Sequence, residues 1–312
     1  MLRHKAIETA QFGAEATAGT EVPGGEQFLG LTKFNLKGME PKTQYRGVGS
    51  ETSNGESQEK VHSEFDGEGP VCYMTLPRFL NACLGYQAAS PYTWKPSNFG
   101  VDTLKTLSVQ KGSAAGAEKA AYGVVKGFKL RFVQKDTSFN FTGFARKLTT
   151  GSTLTATPTK VPCIPLDPKK VDLYLGVDEG GLAVTKWQEM EVTVADRWAP
   201  HFEGNGTDES FEEPAKVANE HTIQLTLTSA AAIADLIAAA RAKELRCIRI
   251  KATSALEFAA GEFYDFQLTA MCRVQMPDTS GEAENAVATT VNLVMAYDAD
   301  FDGFMELILT NA

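Results

Sequence analysis

The chain has 312 residues, 43% of them hydrophobic, with a formal charge of -9 and an isoelectric point near 5.1. That length exceeds one ordinary domain, and the acidic balance argues against non-specific adhesion to DNA, RNA or anionic membrane, because phosphate binding depends on Lys and Arg displacing counterions. No apolar run approaches the roughly 18 residues of a membrane helix, and the opening MLRHKAIETAQFGAEA lacks a leader's apolar core, so neither anchoring nor secretion by the common signal is expected.

Five cysteines (Cys72, Cys83, Cys163, Cys247, Cys272) form no CxxC pair and are odd in number, which suits small buried thiols in a reducing cytosol better than a disulfide framework. The first extended segment is LTKFNLKG at 31–38. Residues 45–69, YRGVGSETSNGESQEKVHSEFDGEG, are polar, acidic and rich in glycine. They exceed the about two to five residues a hairpin turn needs, so they read as a loop that binds or moves.

VCYMTLPRFLNACLG at 71–85 predicts a helix. Thr75 stands at the N-cap and Pro77 in the first turn, while Leu76, Phe79, Leu80, Cys83 and Leu84 fall at helical spacing before Gly85. Strands follow at 121–133, where Tyr122, Val124, Phe128, Leu130 and Phe132 lie on one face, and at 139–148, FNFTGFARKL. Lys126, Lys129 and Arg131 then read as a solvated face. The Thr- and Pro-rich stretch at 149–170 divides the chain into a module at 1–150, a linker at 151–170 and a module at 171–312.

Beyond it, VTKWQEMEV at 184–192 reads as a strand, and 201–220, HFEGNGTDESFEEPAKVANE, as a second long acidic loop. Residues 221–252 hold a strand alternating at Ile223, Leu225 and Leu227, a helix capped by Ser229 with Ile233, Leu236, Ile237 and Ala240 in one stripe, and a return strand, RCIRIKA. Strands at 263–276 and 286–297 follow. The final DADFDGFMELIL places Asp298, Asp300, Asp302 and Gly303 as in a calcium loop, but Leu309 replaces the bidentate Glu and the flanks alternate as strands do, so it reads as a turn.

These segments recur in order. Thr75 and Ser229 stand 154 positions apart, Leu31 and Val184 153, and Tyr122 and Tyr264 142, the shorter offset following the longer connection after the first helix. Identity between the halves is slight, so the order of elements carries the expectation of a tandem duplication of a mainly β sandwich or barrel-like module with one flanking helix per copy. Catalytic signatures are missing: there is no GxSxG, P-loop or GxGxxG, and His4, His62, His201 and His221 stand apart from metal-ligand spacings. The reading is therefore a non-enzyme without catalytic residues, metal or cofactor. Trp187 and Trp198 lie on strand patterns and are expected in packing.

The TKF strand, the long loop before VCYMTLPRFLNACLG, the Thr/Pro linker, VTKWQEMEVTVADRWAPHFEGNG, LTSAAAIADLIAAARAKELRCIRIKA, FYDFQLTAMCRVQMPD and the terminal AYDADFDGFMELILTN resemble, in that order, the larger major tail tube proteins of long-tailed bacteriophages. The resemblance implies a structural virion protein, assembled in the host cytoplasm and located in the tail, whose rings stack into a tube that conducts double-stranded DNA without binding it specifically. Its partners would be itself and other tail proteins, with no membrane. Six tube folds per ring would make a duplicated chain a trimer with pseudo-sixfold character, and a chain with a single fold a hexamer.

By the same resemblance, the inter-ring role falls on Gly47–Gly69 (Gly47, Ser50, Glu51, Asn54, Glu56, Glu59, Asp66, Gly69). A second loop role falls on Glu203–Glu220 (Glu203, Asp208, Glu209, Glu212, Glu213). Glu189 and Glu191, on the polar side of their strand, become candidates for a DNA-repelling lumen. The rival expectation is a β-sandwich binding module such as an adhesin or receptor-binding protein.

Overall fold

The computed structural model describes residues 8–40, 42–45, 55–58, 60–97, 102–113, 116–202, 210–276 and 288–311. Its first half runs β1 (Thr9–Ala14), β2 (Glu26–Phe28), β3 (Lys33–Met39), β4 (Lys42–Tyr45), β5 (Gly55–Gln58), β6 (His62–Gly69), α1 (Leu76–Asn81), β7 (Tyr92–Trp94), β8 (Leu107–Ser113), β9 (Gly116–Val133) and β10 (Asp136–Ala145). The connection carries β11 (Thr149–Ser152) and β12 (Thr159–Val161). The second half runs β13 (Val171–Gly176), β14 (Ala183–Thr185), β15 (Trp187–Val194), β16 (Trp198–His201), β17 (Glu213–Lys216), β18 (Thr222–Leu227), α2 (Ala230–Ala242), β19 (Leu245–Ala259), β20 (Glu262–Val274), β21 (Thr289–Met295) and β22 (Met305–Thr310). The protein is mainly β.

Strand pairing follows one antiparallel order in the first half, β2–β1–β8–β9–β10–β6–β3. In the second half the order is β14–β13–β19–β20–β21–β18–β15, again antiparallel throughout. Each half also inserts a hairpin between the same two members, β4–β5 in one and β16–β17 in the other. A helix follows β6 and another follows β18.

The long strand β9 joins the two halves. Its first part pairs with β8 and β11, and its second with β10 and, on the other edge, with β15 from Phe128↔Val194 to Val133↔Glu189. It turns between these tasks at Tyr122, whose φ of 59° is unusual for a bulky residue. A second exchange sets β7 beside β22, and β12 lies parallel to β2. In the second half β19 runs along β20 from Leu245↔Arg273 to Ala259↔Glu262, filling the edge that β15 occupies on β9.

Alternation decides which side of each strand is buried. On β6, Ser63, Phe65, Gly67 and Gly69 point inward, and on β15 Met190, Val192 and Val194 do so. Gly67 lies opposite Phe141 and Gly143 opposite Phe65. A Cβ on Gly67 would come within 2.2 Å of the Phe141 ring, and one on Gly143 within 2.2 Å of the Phe65 ring. Each glycine thus leaves the space that its neighbour's aromatic ring fills.

One core cluster draws on both halves, from Phe12 and Phe28 to Leu307 and Leu309. Phe79 of α1 stacks on Phe141 with centroids 4.0 Å apart and meets Phe12 edge-on at 5.4 Å. Replacing a ring so enclosed by Ala typically costs about 3–5 kcal/mol.

Both predicted helices form, with different ends. Ser229 caps α2 by accepting from Ala232 N at 3.4 Å, and Lys243 takes the left-handed C-terminal position that glycine usually fills. Thr75 makes no cap: its hydroxyl donates instead to Cys72 Sγ at 3.4 Å. Pro77 at the start of α1 has no N–H to satisfy, which lightens the need for one. The Asp298–Gly303 segment is the turn expected between strands, closed by reciprocal backbone bonds and by Phe301 N donating to Asp298 Oδ1 at 2.8 Å.

Candidate functional surface

The eight strands β3, β6, β10, β9, β15, β18, β21 and β20 are neighbours in that order, four from each half. Their inward side builds the core. Their outward side carries Lys33, Asn35 and Lys37 on β3, then Glu64, Asp66 and Glu68 on β6, with Asn140 and Thr142 on β10. Lys129 and Arg131 on β9 and Glu189, Glu191 and Thr193 on β15 come next. Thr222, Gln224 and Thr226 on β18 face Thr290 and Asn292 on β21, joined by Gln224 to Asn292 at 2.9 Å and by the Thr226 and Thr290 hydroxyls at 3.1 Å. Charged columns therefore give way to a neutral amide and hydroxyl field on β18 and β21, beyond which Arg273 of β20 is exposed on the same side.

The seam between the halves lies within the charged part. Arg131 Nε donates to Glu189 Oε1 at 2.6 Å, and Lys129 Nζ lies 2.7 Å from Glu191 Oε1. Both pairs are diagonal, since the register sets Arg131 opposite Glu191 and Lys129 opposite Thr193. The hydrogen bond that Arg131 donates to Glu189, and that carboxylate's charge, raise the already high affinity of Arg131 for its proton. Lys126 reaches Asp196 at 3.4 Å, so the three cations expected to be solvated each meet a carboxylate.

Glu189 and Glu191 thus stand on the outward side of their strand, as expected, but as partners of cations. Their negative charge is cancelled locally by Arg131 and Lys129, a pairing between strands 58 residues apart for the closer contact that no local pattern announces. Among these exposed pairs each contributes at most about 1 kcal/mol to stability, so their main effect is on the charge the surface presents.

The long segment 47–69 is not a loop throughout. β5 occupies Gly55–Gln58, which includes Glu56, and β6 places Asp66 and Gly69 inside the sheet, where they pair with Thr142 and Phe139. The physical reason is alternation: Ser63, Phe65, Gly67 and Gly69 form a period-2 inward set that acidic residues between them disguise. Gly47, Ser50, Glu51, Asn54 and Glu59 lie outside the described residues. In the second loop, Glu213 begins β17 and pairs with His201, and Glu212 N donates to His201 O at 3.1 Å. Glu203, Asp208 and Glu209 lie outside the described residues.

The β16–β17 hairpin covers one end of the polar side. Trp198 and Phe211 join Tyr122, Val124 and Phe144 in a small apolar cluster, and Trp198 Nε1 donates to Cys83 O at 2.8 Å. Trp187 Nε1 donates to Val171 O at 3.2 Å, so both tryptophans serve packing, as their strand positions predict.

No family model and no curated protein matches the chain. Its chemistry must therefore be read from its own groups.

Two buried polar sites escaped sequence reasoning. Glu15, 1% exposed, accepts from Tyr122 N and Ser108 Oγ at Oε1, and from Gly19 N and Thr106 Oγ1 at Oε2, all at 2.7–2.8 Å. It thereby holds the chain where β9 turns. Arg197, 2% exposed, donates through Nη2 to Asp102 Oδ2 at 2.7 Å, while Asp102 Oδ1 accepts from Ser97 N. Neither residue has a sequence signature, because partners at separations of 91 and 95 residues meet only in the folded sheet.

Of the described histidines, His221 is the most perturbed. Burial and the Arg197 cation push its imidazole down to about 4. Burial also lowers His62, with Glu64 opposing and Lys126 assisting. His201 is exposed, 3.9 Å from Glu213, and His4 lies outside the described residues. Among the described residues no group of three or more His, Cys, Asp or Glu is placed to hold a metal ion, and no helix is long and apolar enough to cross a membrane.

Proposed function

We propose that the chain is a duplicated tube subunit: a structural protein whose copies join edge to edge into rings, the rings stacking into a channel that passes double-stranded DNA in a phage tail. The observation that carries this reading is the β9–β15 ladder, by which two halves with the same strand order extend one sheet sideways. Among the described residues β3 pairs only with β6, so its outer edge offers backbone groups that a lateral ladder between chains would satisfy.

In this reading each chain contributes four strands from either half to the wall, and three chains close a ring of six modules. The polar side of the eight-strand sheet lines the bore. Its cations at the seam are engaged by Glu189, Glu191 and Asp196, so they offer phosphate little of the counterion release that drives DNA adhesion. A duplex can then move past without being held. The amide and hydroxyl field of β18 and β21 adds hydrogen-bonding capacity without charge.

Negative-stain microscopy and light scattering of the purified protein test the proposal together. Rings or hollow tubes with threefold or pseudo-sixfold symmetry are the expected outcome. A monodisperse monomer that forms neither across a wide concentration range would overturn it, and specific glycan binding by such a monomer would favour the adhesin alternative.

A further inference from the structure

Five thiols are free, and only one of them, Cys163, is partly exposed. Cys163 lies in the connection between the halves, and Cys72 precedes α1. Cys72 Sγ accepts from Ile164 N at 3.3 Å and lies 3.9 Å from Pro162 O. The backbone groups immediately before and after Cys163 therefore both touch the Cys72 sulfur.

The two segments are already fixed against one another. Tyr73 N donates to Ile164 O at 3.1 Å, and Leu166 N to Val71 O at 2.8 Å, framing the Cys72↔Pro165 bridge. Gly30 leaves room for the second sulfur, since a Cβ there would stand 2.8 Å from Cys163 Sγ. The other thiols lack such an arrangement. Cys247 packs with Met271 and Phe301 on one side of the sheet, and Cys272, on the adjacent strand, packs in the main core on the other. Cys83 is fully buried on α1's exit, with Lys126 O as its sulfur's neighbour at 4.0 Å.

We propose that Cys72 and Cys163 are a disulfide-forming pair that closes when the protein meets a two-electron oxidant such as hydrogen peroxide. Cys163 sulfur attacks the peroxide, the O–O bond breaks, and the thiol proton leaves with the departing oxygen as water, giving a sulfenic acid. Cys72 sulfur then attacks that sulfur, the S–O bond breaks, and its proton leaves with the hydroxyl as a second water. Two thiols are oxidised and one peroxide is reduced to two waters. The product ties the connection to the strand-helix unit of the first half and encloses the long stretch between the two cysteines.

Burial and the neighbouring Cys72 push the Cys163 thiol up to about 12. Since the thiolate is the attacking form, the pair stays reduced during brief oxidant exposure at neutral pH, and its closure accelerates about tenfold per pH unit between 7 and 9. The inference is independent of tube assembly, because both partners belong to one chain.

The test treats the full-length protein with excess hydrogen peroxide at pH 8, quenches with catalase, and counts thiols in denaturant. The expected result is a fall from five thiols to three, with loss of two hydrogens in intact mass and a linked peptide joining Cys72 to Cys163. Melting should rise by roughly 5–8 °C and return on reduction. Cys163→Ser should keep its remaining four thiols. Five surviving thiols, an oxygen adduct on Cys163 without a link, a bridge between chains, or a bridge using Cys83, Cys247 or Cys272 would each overturn the proposal.

Discussion

His221 offers a quantitative test of how the second half is locked together. Its Nδ1 accepts from Ala195 N at 3.1 Å, its ring packs on Phe304 at 5.1 Å, and the Arg197 cation acts on it from nearby. A proton on Nδ1 would set two N–H groups against each other and add a cation beside a cation. The folded state therefore holds the imidazole neutral, with an affinity for protons lowered from 6.5 to about 4. Above pH 6.5 both folded and unfolded chains carry it neutral, and the group adds no pH dependence. As pH falls below 6.5 the unfolded chain takes up the proton first, so stability declines until the folded form protonates near pH 4.

Integrating that difference gives a loss of about 2–3 kcal/mol by pH 4.5 and about 3 kcal/mol in full. His221→Gln keeps a carbonyl that can accept from Ala195 N but cannot titrate. Urea unfolding followed by tryptophan fluorescence, at constant ionic strength from pH 7.5 to 4.5, should show the wild type losing about 2–3 kcal/mol more than the variant. Parallel curves for the two proteins, within about 0.5 kcal/mol, would show that His221 is not held neutral and would refute the reasoning.

Glu15→Ala leaves two backbone N–H groups and two hydroxyls without their acceptor, and should cost about 3–5 kcal/mol in the same unfolding assay; a loss under about 1 kcal/mol would mean water replaces the carboxylate. Gly143→Ala forces a methyl against the Phe65 ring and should destabilise by about 1–3 kcal/mol, seen as a lower melting temperature by calorimetry. On the tube proposal the wild type should pass duplex DNA unbound, and reversing the seam charge with Glu189→Lys and Glu191→Lys should make the protein retain duplex DNA at low salt and release it as salt rises, measured by fluorescence anisotropy.

The strands and both helices were legible where alternation or helical spacing was uninterrupted. Ile223, Leu225 and Leu227 announced β18, and Leu76, Phe79 and Leu80 announced α1. β6 was hidden because two of its inward positions are glycines: Phe141 of the neighbouring strand fills the space over Gly67, and the Gly30 backbone lies against Gly69, so neither position reads as hydrophobic. The cap at Thr75 failed because the turn starts earlier: Thr75 already has helical backbone angles, and both its N–H and that of Leu76 donate to Cys72 O. Glu189 and Glu191 could be assigned to the polar side of a strand from spacing alone. Their neutralisation could not, since Arg131 and Lys129 come from the other half and meet them only when β9 and β15 pair. Local pattern sets the side a residue faces, and long-range register sets what it faces.

The course of β9 has a consequence for how the protein is made. A ribosome delivers the first half complete, yet Phe128–Val133 then presents an unclaimed row of amides and carbonyls until Trp187–Val194 has left the exit tunnel. During that interval the nascent chain is vulnerable to pairing with a neighbour on the same message. Carrying β15 on the same polypeptide shortens the wait, and gives it a local concentration beside β9 that a separate polypeptide could not match.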